Sequence, residues 1–109
     1  MIENMSGGGG IVLRRDYIVY DENAKILIEV EKRVFARKIV SELIAERKRL
    51  GLTQQDIADR TGMKAPNVTR VESCRFTPSL DVLERYAMAV GKRIRFELVD
   101  IEYANDDSR

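Results

Sequence analysis

The stretch Leu52-Thr-Gln-Gln-Asp-Ile-Ala-Asp-Arg-Thr-Gly62-Met-Lys-Ala-Pro-Asn-Val-Thr-Arg-Val71-Glu72 constrains the fold more than any other part of the chain. It holds two short helical patterns with a glycine between them. Ala58, Gly62, Val68 and Val71 stand at separations of four, six and three residues, the spacing that two helices need when they cross steeply at a tight turn. Ala58 is small where the second helix presses on the first. Gly62 can adopt the positive φ that closes the turn. Val68 and Val71 share one face of the second helix, and that face is expected to be buried. The opposite edge then offers Lys64, Ala65, Asn67, Thr69 and Arg70 to the outside.

A rigid helix with an exposed polar edge is suited to reaching base edges in a groove of duplex DNA. Charge supports this once the chain is divided. Residues 1–36 carry net −1, residues 37–95 net +6 and residues 96–109 net −4, within a total of +1. The positive charge therefore lies on the segment with the two-helix pattern, where attraction to phosphates would need it. A well-solvated helical surface would account for many of the same lysines and arginines.

Composition excludes other classes. The chain has 109 residues, 44% of them hydrophobic, enough for one small core. No apolar run approaches a membrane span and the N-terminus lacks a secretory apolar segment, so a soluble, cytoplasmic protein is expected. The single Cys74 allows no internal disulfide framework. With no histidine, no phosphate-cradling glycine loop and no metal-ligand set, no catalytic residue, cofactor or metal is expected, and an enzyme is not indicated.

The segments read as follows. Residues 1–10, ending in four glycines, form a flexible N-terminus. Residues 11–36 comprise an N-terminal strand over 11–20, rich in β-branched and aromatic types, and a lead-in helix. The helical pattern runs from Ala24 to Leu50, with Ile28, Phe35, Ile39, Leu43 and Leu50 as its apolar set and a kink expected near Lys32-Arg33. Gly51 ends it. Thr53 caps the next helix, with Asp56 completing a box, and Pro66 occupies the first turn of the one after. A further helix runs from Leu80 to about Val90, with Leu80, Leu83, Ala87 and Val90 as its apolar set and Gly91 at its end. Residues 92–100 alternate, with Ile94, Phe96 and Leu98 on one face, and read as a half-buried C-terminal strand. An acidic tail, 101–109, follows.

Residues 37–91 resemble the lambda-repressor/Cro-type helix-turn-helix family, also called the xenobiotic-response-element family. The resemblance lies in Gly51-Leu-Thr-Gln-Gln-Asp-Ile-Ala58, Gly62, Val68-Thr-Arg-Val-Glu-Ser73 and Pro78-Ser-Leu80. It implies a mainly α fold: a helix-turn-helix DNA-binding core of four to five helices, with the C-terminal strand and an N-terminal strand added. It implies that Gln54 donates to a DNA phosphate and braces the reading helix, and that Lys64, Ala65, Asn67, Thr69 and Arg70 take the reading positions. Of these Arg70 is the best suited to direct readout, since a guanidinium can chelate guanine O6 and N7. Arg75 is placed for a phosphate. Arg47 and Glu72 match a pair that bridges core helices in this family, a structural role shared with Gly62. Cys74 departs from the pattern, since glycine is usual there and the backbone often turns left-handed.

Asp21-Glu-Asn-Ala-Lys to Ala45-Glu-Arg-Lys resembles the helical lead-in of HigA-type antitoxins, and Gly91-Lys-Arg-Ile-Arg-Phe-Glu-Leu-Val99 is similar to the terminal strand of that group and of HipB-like proteins. The expected function is a homodimeric, sequence-specific repressor on an inverted-repeat operator, with double-stranded DNA as partner and no membrane contact. Ile94, Phe96 and Leu98 are expected to form the dimer interface. A toxin protein would be a second partner if the chain is the autoregulating antitoxin of a type II pair, with residues 11–36 as the toxin-binding arm. A stand-alone phage or mobile-element regulator remains open, as does a protein-interaction module whose DNA site is vestigial.

Overall fold

The computed structural model of the chain describes residues 2–5, 11–13 and 20–103. Four helices carry it: α1, Glu22–Arg49; α2, Gln54–Thr61; α3, Ala65–Glu72; and α4, Leu80–Ala89. Three short strands lie outside them: β1, Ile2–Met5; β2, Ile11–Leu13; and β3, Glu102–Tyr103. β1 pairs antiparallel with β2, Ile2 opposite Leu13 and Met5 opposite Ile11, and β2 pairs in parallel with β3. The chain divides into two compact units, one of Met1–Glu29 with Phe96–Arg109, the other Val30–Arg95.

The Val30–Arg95 unit contains the two-helix pattern and its core. Val40 and Leu43 of α1, Ile57 and Ala58 of α2, Val68 and Val71 of α3, and Leu83, Tyr86, Ala87, Ala89 and Val90 form one buried cluster. α2 and α3 are too short to persist alone in water, so this shared burial is what keeps them helical. The turns are written in the sequence. Thr53 accepts from the Asp56 N–H and Asp56 accepts from the Thr53 N–H, a complete capping box. Gly62 ends α2 at φ 77°, donating to the Ala58 carbonyl. Pro66 lies in the first turn of α3. α1 and α4 end alike: the Gly51 and Gly91 N–H groups reach back to Lys48 and Met88, and the next N–H groups to Arg47 and Ala87, which is the Schellman arrangement.

Four expectations are corrected here. The lead-in and first core helix are assigned as one helix, Glu22–Arg49, which runs on through Lys32-Arg33; residues 22–49 contain no proline or glycine, and the charged residues at the expected break are good helix formers. The buried stripe of α1 within this unit is Ala36, Val40 and Leu43; Ile28, Phe35 and Leu50 lie at the surface. In α4, Leu80 is exposed and Tyr86 takes the buried place, because Leu80 opens the helix before the core-facing turns begin. The C-terminal strand over 92–100 is not formed, as those residues have no ladder. Alternation assigns faces, but a strand exists only when its N–H and C=O groups meet another strand. Ile94 packs on the core of its own chain, while Phe96 is 53% and Leu98 101% exposed. Of the N-terminal strand over 11–20, Ile11–Leu13 is a strand, and residues 14–19 lie outside the described residues, as do 6–10 and the tail from 104. Among the described residues no helix is long and apolar enough to cross a membrane.

Candidate nucleic-acid interface

α3 divides its residues as a helix with one working edge must. Val68 and Val71 are fully or almost fully buried, whereas Lys64, Asn67, Thr69 and Arg70 are exposed. Ala65 differs from the reading-edge expectation: it is half-buried and packs against the core. Arg75, just past the helix, is exposed. Between the α2–α3 turn and the start of α4 lies an open groove of about 830 Å³, lined by Lys64, Asn67, Arg70, Phe76, Ser79 and Arg85 among others.

The helix is pinned from its last residue. Glu72 accepts from Arg47 through Nε at 2.9 Å and Nη2 at 3.1 Å, from Gln54 Nε2 at 2.9 Å and from the Tyr86 hydroxyl at 2.5 Å. One carboxylate thus ties all four helices. Arg47 also donates to the Leu52 carbonyl at 2.9 Å. The side chains of Arg47 and Glu72 are only 11% and 8% exposed. Burial by itself pushes the Glu72 carboxyl up, but donation from Tyr86, Arg47 and Gln54 outweighs it and holds the group below the ordinary carboxylate value. Burial, and then the hydrogen bond to that carboxylate, push the Tyr86 hydroxyl far up. A planar fork on a carboxylate whose acceptor sites are all used makes a part-buried ion pair in which removal of either partner leaves the other poorly compensated.

Gln54 links this hub to the exposed edge. Its Nε2 faces Glu72, and its Oε1 accepts from the Thr69 hydroxyl at 2.6 Å. A primary amide has two N–H groups, so one donor remains beyond the Glu72 bond. The Thr69 hydroxyl has the Gln54 oxygen as its shorter acceptor and the Ala65 carbonyl, at 3.3 Å, as its longer one, so Thr69 is tied to Gln54 as well as exposed on the edge.

Two residues of the site were not found by sequence reasoning. Tyr86 was legible in principle, since Leu83, Tyr86, Ala87 and Val90 are a better helical apolar set than one that includes Leu80; nothing in the sequence marks its hydroxyl as a partner of Glu72. Phe76 lies in the loop after α3, and its ring stands 4.4 Å from the Arg70 guanidinium carbon. No periodicity reaches into a loop, so that pairing has no sequence signal. Cys74 does turn left-handed, at φ 58°, where glycine would be at ease.

Comparison with known proteins agrees with this geometry. A family model described as Helix-turn-helix matches residues 43–96. The chain is 41% identical over 63 residues to Antitoxin HigA1 of Mycobacterium tuberculosis, covering 58% of this chain and 42% of that relative. It is 41% identical over 46 residues to an uncharacterized HTH-type transcriptional regulator of Methanothermobacter thermautotrophicus, covering 42% of this chain and 67% of that protein. A third relative, an uncharacterized HTH-type transcriptional regulator of Haemophilus influenzae, is 30% identical over 56 residues, covering 51% of this chain and 57% of its own length. The chain therefore spans less than half the length of the antitoxin it matches. No solved structure matches it significantly. With α2, the Gly62 turn and α3 inside the matched region, and with the regulator from Methanothermobacter matched over two thirds of its length, the chain belongs to the helix-turn-helix family of the lambda-repressor/Cro type.

Proposed function

We propose that the protein is a sequence-specific DNA-binding transcriptional repressor that acts as a homodimer on an inverted-repeat operator. It works by binding and has no enzymatic step. The observation that carries this reading is the division of α3: Val68 and Val71 are sealed in the core while Asn67 and Arg70 stand outside on a helix fixed by Glu72. Arg70 is the residue for direct readout, by chelation of a guanine. Asn67 and Lys64 add base or phosphate contacts, Ala65 offers only an apolar contact, and Gln54 and Arg75 serve phosphates. Two reading helices entering successive major grooves would lie about 34 Å apart. Phe96 and Leu98, exposed on a segment without a ladder, are suited to pairing with the same segment of a second copy, with Ile94 at the edge of that contact.

The test is retention of labelled DNA from upstream of the protein's own gene. Wild type should bind it and lose affinity steeply with salt. Arg70→Ala should cost about 1–3 kcal/mol at one operator position, and Gln54→Ala should weaken binding evenly across sequences. Binding that is indifferent to both substitutions would remove α3 and its brace from the interface.

A second reading, that the repressor is also an antitoxin, is favoured by the likeness to Antitoxin HigA1 and by Ile26, Ile28 and Val34, which α1 leaves at the surface. In this reading residues 11–36 hold a toxin protein. Deleting residues 1–36 in a strain carrying the neighbouring gene should leave DNA binding intact and abolish protection. Protection that survives the deletion would leave the repressor role alone.

A further inference from the structure

We infer that Phe76 is a positioning residue for base readout: its ring holds the Arg70 guanidinium so that the fork meets a guanine already aligned. The inference rests on the DNA-reading role proposed for α3 and names a residue that role does not require. An exposed arginine ordinarily samples many rotamers, and ordering it on contact opposes binding. Here the guanidinium carbon sits 4.4 Å from the ring centre, well inside the range of a cation–π contact. A guanidinium that lies flat on a ring leaves its N–H edge for a bidentate acceptor. Among the described residues no carboxylate or carbonyl takes that edge.

The loop is built to bring the ring back. The left-handed turn at Cys74 redirects the chain as α3 ends, and the Ser73 hydroxyl, donating to the Arg70 carbonyl at 2.6 Å, accepts from the Arg75 N–H at 3.3 Å. Phe76 and Arg70 then line the same groove, together with Lys64 and with Arg85, which also pairs with Asp81; no acidic residue lines it. The Phe76 side of the groove is apolar and the residue is 37% exposed beside the reading edge, with the guanidinium lying over its ring.

The experiment is selection from random duplex DNA with full-length protein, comparing wild type, Arg70→Ala, Phe76→Leu, Phe76→Tyr and the double variant Arg70→Ala/Phe76→Leu. Melting temperatures are measured alongside. Leucine keeps an apolar side chain but has no π face. Phe76→Leu should reduce the preference for guanine at the Arg70 position by about two- to fivefold, and Phe76→Tyr should restore it. In the Arg70→Ala background, Phe76→Leu should change the preference no further. If Arg70→Ala flattens the guanine preference but Phe76→Leu leaves it at the wild-type value, the positioning role is wrong and the reading role stands. If Phe76→Leu acts equally with and without Arg70, the ring serves the fold alone. If Phe76→Leu does not fold, Phe76→Met, which also keeps an apolar side chain without a π face, takes its place beside a thermally matched core variant: a loss of guanine preference no larger than in the core variant overturns the inference. A wild-type protein that enriches no sequence overturns the inference and the reading role together.

Discussion

At the scale of single residues, Glu72 has the most consequence. It collects donors from Arg47, Gln54 and Tyr86, so its loss leaves a largely covered guanidinium, 11% exposed, without its carboxylate. Glu72→Ala should destabilise the fold by about 3–5 kcal/mol in urea melts, and Tyr86→Phe, which removes one hydrogen bond to a charged group, by about 1.5–3 kcal/mol. Losses near zero would take the hub out of the architecture. The lowered Glu72 pKa also fixes a sign. The folded protein binds that proton more weakly than the unfolded chain, whose carboxyl keeps the ordinary value of 4.5. The stabilisation is therefore present above pH 4.5 and is lost as the pH falls through the lowered native value. Asp56, lowered by the Thr53 backbone N–H, acts in the same direction. Glu72→Gln should flatten the acid limb of the stability curve, and an unchanged limb would contradict the assignment. The Arg47–Glu72 pair was legible through the family resemblance. Tyr86 and Phe76 were not, because a tyrosine on an apolar face and a phenylalanine in a loop look alike whether or not a charged partner faces them.

Among the elements, α2 and α3 were the most legible, because local chemistry and tertiary burial agree. The Thr53–Asp56 box, Gly62 and Pro66 each need only their neighbours to act. Thr53→Ala should cost about 1 kcal/mol. Gly62→Ala should cost about 1–2 kcal/mol from the positive φ alone, since a Cβ there would meet no atom within 4 Å. Thermal melts of the two variants check both values, and a Gly62→Ala protein as stable as wild type would mean that the turn relaxes to another conformation. The long helix and the segment 92–100 were less legible. In α1 the apolar residues fall on more than one face, so the period alone does not say which stripe meets the core. In 92–100 the alternation is present, but among the described residues no strand pairs with it, and a β pattern without a partner has no local signal of its failure.

For the whole molecule, the charge distribution and the helix-turn-helix unit point to DNA, while apolar residues of 96–101 and of α1 stand exposed. If a second copy covers the C-terminal segment, Phe96→Asp should give monomers by light scattering and weaken operator binding strongly, because half of the DNA contacts are lost. A dimer that persists would move the interface elsewhere, with the exposed residues of α1 the next candidate. Sequence-specific recognition of DNA by α3 is the central claim, and one selection tests it most directly. Wild-type protein incubated with random duplex DNA should enrich an inverted repeat whose half-sites lie about one helical turn apart, with a guanine in each half that Arg70→Ala no longer selects. Recovery of unenriched sequence by the folded wild-type protein would contradict it.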